Sequence, residues 1–188
     1  MRKVILGLLL VASILWLPPA KSATLEEVQQ LIDEVLINCN VHHQNCSVRL
    51  IDHPREIAAT NYDTITISTA TINLFNKEEL RSVMYHELAH AVLNHSERGY
   101  AYSDRIRQQL ERDLTYNEMQ KLRHQMENEA DSYASLLLYF NNKPNKLDTA
   151  LVKLGMKYKR NFDEDYLTHP STNSRLRNIR RYKILYGN

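Results

Sequence analysis

His86-Glu87-Leu88-Ala89-His90 sits inside the apolar-rich run of residues 80–95. An α-helix turns about 100° per residue, so residues four apart lie within roughly 40° of each other and about 6 Å apart along the axis. Both imidazoles therefore leave one face. Two neutral imidazoles on consecutive turns can hold one zinc ion, and Glu87, next to the first, can reach a water on that ion. Asn76 followed by Glu79 forms a capping-box start for this helix, and Leu80, Met84, Leu88 and Ala91 recur at helical spacing. The histidines face away from that stripe, on a side that Ala89 and Leu93 make partly apolar too. A helix apolar on most faces is buried. Buried histidines need partners, and the competing explanation for these two is a pair of hydrogen-bonded core residues.

The N-terminus reads as an address. Met1-Arg2-Lys3 is basic, residues 4–17 are apolar, Pro18-Pro19 ends any helix, and Ala20-Lys21-Ser22 presents small residues for cleavage after Ser22. Residues 1–22 are expected to be a secretory signal peptide, with an uncleaved membrane anchor as the competitor. Losing Arg2, Lys3 and Lys21 takes the formal charge from +2 to −1, so nothing argues for nucleic acid as a partner. The remaining residues, 23–188, suffice for one domain burying about 70% of its unfolded surface. No transmembrane span is expected after the signal, and export points to a bacterial periplasm.

Cys39 and Cys46 are the two cysteines. In an oxidising compartment they are expected to close a short disulfide loop. His42 and His43 between them raise a rival, a small Cys/His metal site, although the spacing matches no C-x₂-C pattern.

Along the rest of the chain, the Thr24/Glu27 box opens an amphipathic helix over 25–37. Strands are expected at 48–52 and 64–68, with a short middle strand at 57–60 between turns at Asp52-His53-Pro54 and Asn61-Tyr62-Asp63. An edge of this small sheet could pair with an extended peptide, but the sequence does not show which edge is free. Residues 97–112 are polar, a solvated helix or a flap. Thr115 and Glu118 open a long helix over 116–140, stopped by Asn141-Asn-Lys-Pro144. A helix near 148–158, a loop over 161–170 and a last helix over 171–186 complete an α+β chain, mostly helical, with a small sheet ahead of the His86–His90 helix.

Catalytic zinc takes three protein ligands and keeps one position open. The third histidine of H-E-x-x-H-x-x-G-x-x-H is absent, since Leu93 and Ser96 hold the last two defining places. His95 comes one residue early and reads as a surface histidine near the helix end. Glu127 and Asp131 are one turn apart at the flank of the long helix's apolar stripe. Glu127 suits a ligand and Asp131 an acceptor for a histidine's other N–H. Glu129, about 200° from Glu127, is expected to face solvent. The plainer alternative is three ordinary surface carboxylates.

The pair His86-Glu87-Leu88-Ala89-His90 and Glu127-Asn128-Glu129-Ala130-Asp131, with His169-Pro170 and Arg175 beyond, resembles the HtpX and CAAX-prenyl-protease family of zinc metallopeptidases. The likeness covers about residues 25–182. It implies His86, His90 and Glu127 as ligands of one zinc ion and Glu87 as general base. It further implies His169 near the cleft, donating to an oxyanion or occluding the metal, and Arg175 pairing with a cleft carboxylate. The chain is close to a bare peptidase domain, without the family's membrane helices or helical repeats. The expectation is an exported zinc metalloendopeptidase acting on proteins or peptides, in envelope quality control or processing. Its alternatives are a catalytically silent, chaperone-like binding protein on the same fold and a metal-free interaction protein.

Overall fold

The computed structural model describes residues 22–42 and 45–186. Residues 1–21 of the expected signal peptide lie outside them, as does His43. In chain order the elements are α1 (Leu25–Val41), β1 (Ser47–Ile51), β2 (Ala58–Asn61), β3 (Thr64–Ser68), α2 (Thr69–Leu74), α3 (Lys77–Val92), α4 (His95–Leu110), α5 (Tyr116–Phe140), α6 (Leu147–Lys157) and α7 (Thr172–Tyr186). The fold is α+β and mostly helical, with its three-stranded sheet ahead of the helix that carries His86 and His90.

Capping sets where the long helices begin. Thr24, Asn76 and Thr115 each accept from the N–H three residues on, and Glu27, Glu79 and Glu118 bond back to the cap. These bonds satisfy N–H groups that the helix itself cannot. In the sheet, β3 is central, parallel to β1 and antiparallel to β2. Its Ile65 and Ile67 are buried, while Tyr62 turns the β2–β3 hairpin at a positive φ of 54°. The Cys39–Cys46 disulfide ties the last turn of α1 to the chain entering β1, so neither sulfur is free to hold a metal.

α3 is the hub. α1, β2, α5 and α6 all pack against it, and every residue from Glu79 to Ala89 is buried. A helix enclosed this way holds its side chains in place on every face, which is what a two-histidine site requires. The apolar run of 80–95 is not one helix, however. α3 ends at Val92, Asn94 adopts the left-handed conformation at φ 52°, and α4 starts at His95. Asparagine tolerates that conformation, so the chain changes direction there. The polar segment beyond is helical, and His95 is its one buried residue. Among the described residues no helix is long and apolar enough to cross a membrane.

Candidate metal centre

Three side chains converge between α3 and α5. His86 Nε2 and His90 Nε2 lie 3.1 Å apart, and Glu127 presents Oε2 at 3.4 Å from the first and Oε1 at 3.5 Å from the second. A tetrahedral zinc site with bonds of about 2.05 Å has ligand-to-ligand edges of about 3.3 Å. The His86–His90 separation is close to that edge, and Glu127 offers an oxygen at a similar distance from each ring, Oε2 to His86 and Oε1 to His90. His86 and Glu127 are buried and His90 nearly so. Three lone pairs aimed at one point, largely out of reach of water, repel unless a cation or shared protons lie between them.

Charge points the same way. Glu87, Glu127 and Asp131 are three buried carboxylates facing the buried guanidinium of Arg175. With neutral imidazoles the set carries a net −2, which a divalent cation brings to zero. Arg175 Nε and NH2 grip the two oxygens of Asp131 at 2.9 and 2.6 Å, and NH1 reaches Glu127 Oε2 at 3.2 Å. Asp131 Oδ1 also lies 3.0 Å from His86 Nδ1, the nitrogen turned away from the ligand cluster. Burial by itself would raise the Glu127 carboxyl, but Arg175, His169 and the imidazoles of His86 and His90 outweigh it and hold the group well below the usual carboxylate range. Asp131 is fully buried too, and Arg175 and His86 lower it in the same way.

Glu87 occupies the α3 side of the cleft. Thr60 Oγ1, on β2, lies 2.8 Å from both the carboxylate Oε2 and the backbone oxygen of Glu87 and donates its hydroxyl there. The strand thus holds the carboxylate without neutralising it. His169, on the loop between α6 and α7, has a side chain 41% exposed, with Nδ1 3.0 Å from Glu127 Oε2. That loop is fastened on two sides. Phe162 packs on the bare face of Gly155 in α6, and the backbone oxygen of Tyr166 accepts from His124 Nε2 of α5 at 2.6 Å.

Two expectations are overturned. His95 is no surface histidine: it is 4% exposed, and its Nδ1 lies 2.8 Å from His90 Nδ1. Burial and the adjacent His90 push it down to about 4, so it is neutral at pH 7. Glu129 does not face open solvent. It is part-buried, 3.2 Å from His95 Nε2 and bonded by Arg98 and Gln125. The signal for both was Asn94, a residue able to reverse the chain and swing His95 back under α3. Thr60 was also missed, because nothing local links a strand threonine to a helix 27 residues on.

The centre opens into a cleft of about 550 Å³ whose lining includes Ile57, Ala58 of β2, Val83 of α3, and Leu151 and Leu154 of α6. No curated protein matches the chain. Residues 22–111, which include the sheet, His86, Glu87 and His90 but stop short of Glu127, match the model of peptidase family M48. The match covers slightly less than half of the chain, and over those residues the chain is similar to a family of metallopeptidases.

Proposed function

We propose that this chain is an exported zinc-dependent metalloendopeptidase that hydrolyses peptide bonds in proteins. The observation that carries the reading is the triangle of His86, His90 and Glu127, whose edges suit tetrahedral zinc. One zinc ion held there by these three residues would supply Lewis acidity, acidifying its water and polarising the scissile carbonyl. Glu87 takes the proton from the attacking water and delivers it to the leaving amine. Thr60 orients that carboxylate while leaving its charge intact. Asp131, held by Arg175, lies 3.0 Å from His86 Nδ1 and is the acceptor we propose for its N–H, an arrangement that would keep Nε2 of that ring aimed at the ion. His169, or Tyr166 on the same loop, donates to the oxyanion that develops on the former carbonyl.

The substrate is read as an extended peptide. Ser68 N donates to Ile57 O at 2.9 Å, and in an antiparallel ladder the inward-facing residues alternate. Ala59 therefore turns its backbone toward β3, and Ala58 and Thr60 turn theirs to the outer edge. β2 is the edge beside the cleft, so it is the strand assigned to pair with substrate backbone. The aliphatic wall of Val83, Leu151 and Leu154 suits an apolar side chain next to the scissile bond. The N-terminal address and the disulfide support export, and with it we read a role in envelope quality control or processing.

The test is zinc content and peptide cleavage, measured on the natural protein and on Glu127→Ala in parallel. About one zinc per chain with cleavage, both lost in the variant, supports the reading. A natural protein that binds no offered zinc, or binds it without cleaving unfolded protein, overturns it in favour of a binding role.

A further inference from the structure

We propose that His95 and Glu129 are positioning residues for the second ligand, forming a relay that fixes the proton and the ring plane of His90 from outside the metal centre. The inference rests on the metal-centre reading above and concerns residues on which that reading does not depend. Proton bookkeeping carries it. His90 Nε2 is the nitrogen that faces His86 and Glu127, so its lone pair belongs to the cation and the single ring proton sits on Nδ1. That Nδ1 lies 2.8 Å from Nδ1 of His95. An N–H at that distance requires a lone pair opposite, so His95 accepts at Nδ1 and carries its own proton on Nε2. His95 Nε2 in turn lies 3.2 Å from Glu129 Oε2, an acceptor. One arrangement of protons thus satisfies every nitrogen in the row.

The far end of the row is anchored. Arg98 NH1 and Gln125 Nε2 each donate to Glu129 at 2.7 Å. The His90 and His95 rings meet edge to face, with centroids 4.8 Å apart, so a shift of His95 would turn His90. The two ligand histidines are consequently supported in different ways. His86 meets a carboxylate directly in Asp131, whereas His90 meets one through a neutral imidazole. A carboxylate behind a ligating histidine fixes its tautomer and raises its basicity, and the intervening ring carries that influence from a charge which is itself part-exposed. The relay also couples the centre to α4, which supplies His95 and Arg98.

The experiment is zinc affinity by competition with a chromogenic chelator, alongside the visible spectrum of the cobalt-loaded protein. His95→Ala should weaken zinc about tenfold or more and shift the cobalt bands. His95→Asn, whose Oδ1 offers an acceptor near the place of Nδ1, should recover most of that loss. A general loosening of the fold would not be rescued in this way. Glu129→Ala removes a part-exposed side chain, so it remains informative if His95→Ala fails to fold; it should weaken zinc in the same direction. Affinities for both alanine variants within about twofold of the natural protein would overturn the relay, as would an asparagine variant no better than alanine. A natural protein that binds no zinc would overturn the metal-centre reading itself and the relay with it.

Discussion

Arg175 and Asp131 form a two-point grip inside the protein, Nε to Oδ2 at 2.9 Å and NH2 to Oδ1 at 2.6 Å, across 44 residues of chain. The grip joins α7 to α5 directly behind the ligand cluster. It also sets a buried guanidinium among three buried carboxylates. Arg175→Met should therefore destabilise the metal-free protein by about 3–5 kcal/mol, the cost of leaving buried carboxylates uncompensated. Denaturant unfolding with and without zinc checks this. Zinc should recover part of the loss, because a dication opposes the same charges.

Glu87 and Thr60 separate chemistry from binding. Glu87→Gln keeps the size and the contact to Thr60 but cannot accept the water's proton, so zinc content should hold while cleavage falls by about 10²–10⁴-fold. Thr60→Val leaves the carboxylate in place without its strand partner. Losing one charge-assisted hydrogen bond should lower kcat by about tenfold with little change in KM. Steady-state kinetics on one peptide decide both. Full activity in Glu87→Gln would remove it from the role of base.

Gly155 is where α6 meets the loop that carries His169. A Cβ placed there would collide with the Phe162 ring, so Gly155→Ala must displace that ring and the loop with it. The expected cost is about 1–3 kcal/mol of stability, as for overpacking elsewhere. The diagnostic outcome is a split: zinc binding near the natural level, since the three ligands lie on α3 and α5, and reduced cleavage, since His169 is moved. Equal losses of both would mean the loop supports the metal rather than the substrate.

Local chemistry made much of this legible from the chain alone. The long helix expected over 116–140 is α5, Tyr116–Phe140, because its start and stop lie in adjacent residues, the Thr115 box and Asn141-Asn-Lys-Pro144. The four-residue spacing of His86 and His90 likewise put both rings on one face, and one turn between Glu127 and Asp131 separated a cluster member from the residue behind His86. What escaped is non-local or set by a break in direction. Whether Arg175 met a carboxylate depended on how α7 crosses α5, and no periodicity reports a crossing. His95 escaped because a histidine near a helix end was read as a surface residue, whereas the left-handed residue at Asn94 starts a new helix at His95 and brings its ring against His90. Glu129 was misjudged with it, since its solvent-facing side became the side that receives α4.

Acid titration offers a check on that α4–α5 junction. Burial would raise Glu129, but Arg98, Gln125 and His95 outweigh it and bring its carboxyl down to about 2 from an ordinary 4.5. A folded value below the unfolded one means the unfolded chain binds the proton first. The contribution to stability is then fully present above about pH 4.5 and is lost as pH falls toward 2. Glu129→Gln cannot titrate, so its stability should fall less steeply than that of the natural protein across this window, and the two curves should converge near pH 2. Part exposure to solvent screens the effect, so the difference at pH 6 should be modest while its sign is definite. Denaturant midpoints at half-unit steps from pH 6 to pH 2, taken on metal-free protein to keep zinc release out of the measurement, read the slope directly. Parallel curves for the two proteins would mean that Arg98 and His95 exert no net hold on Glu129 in solution.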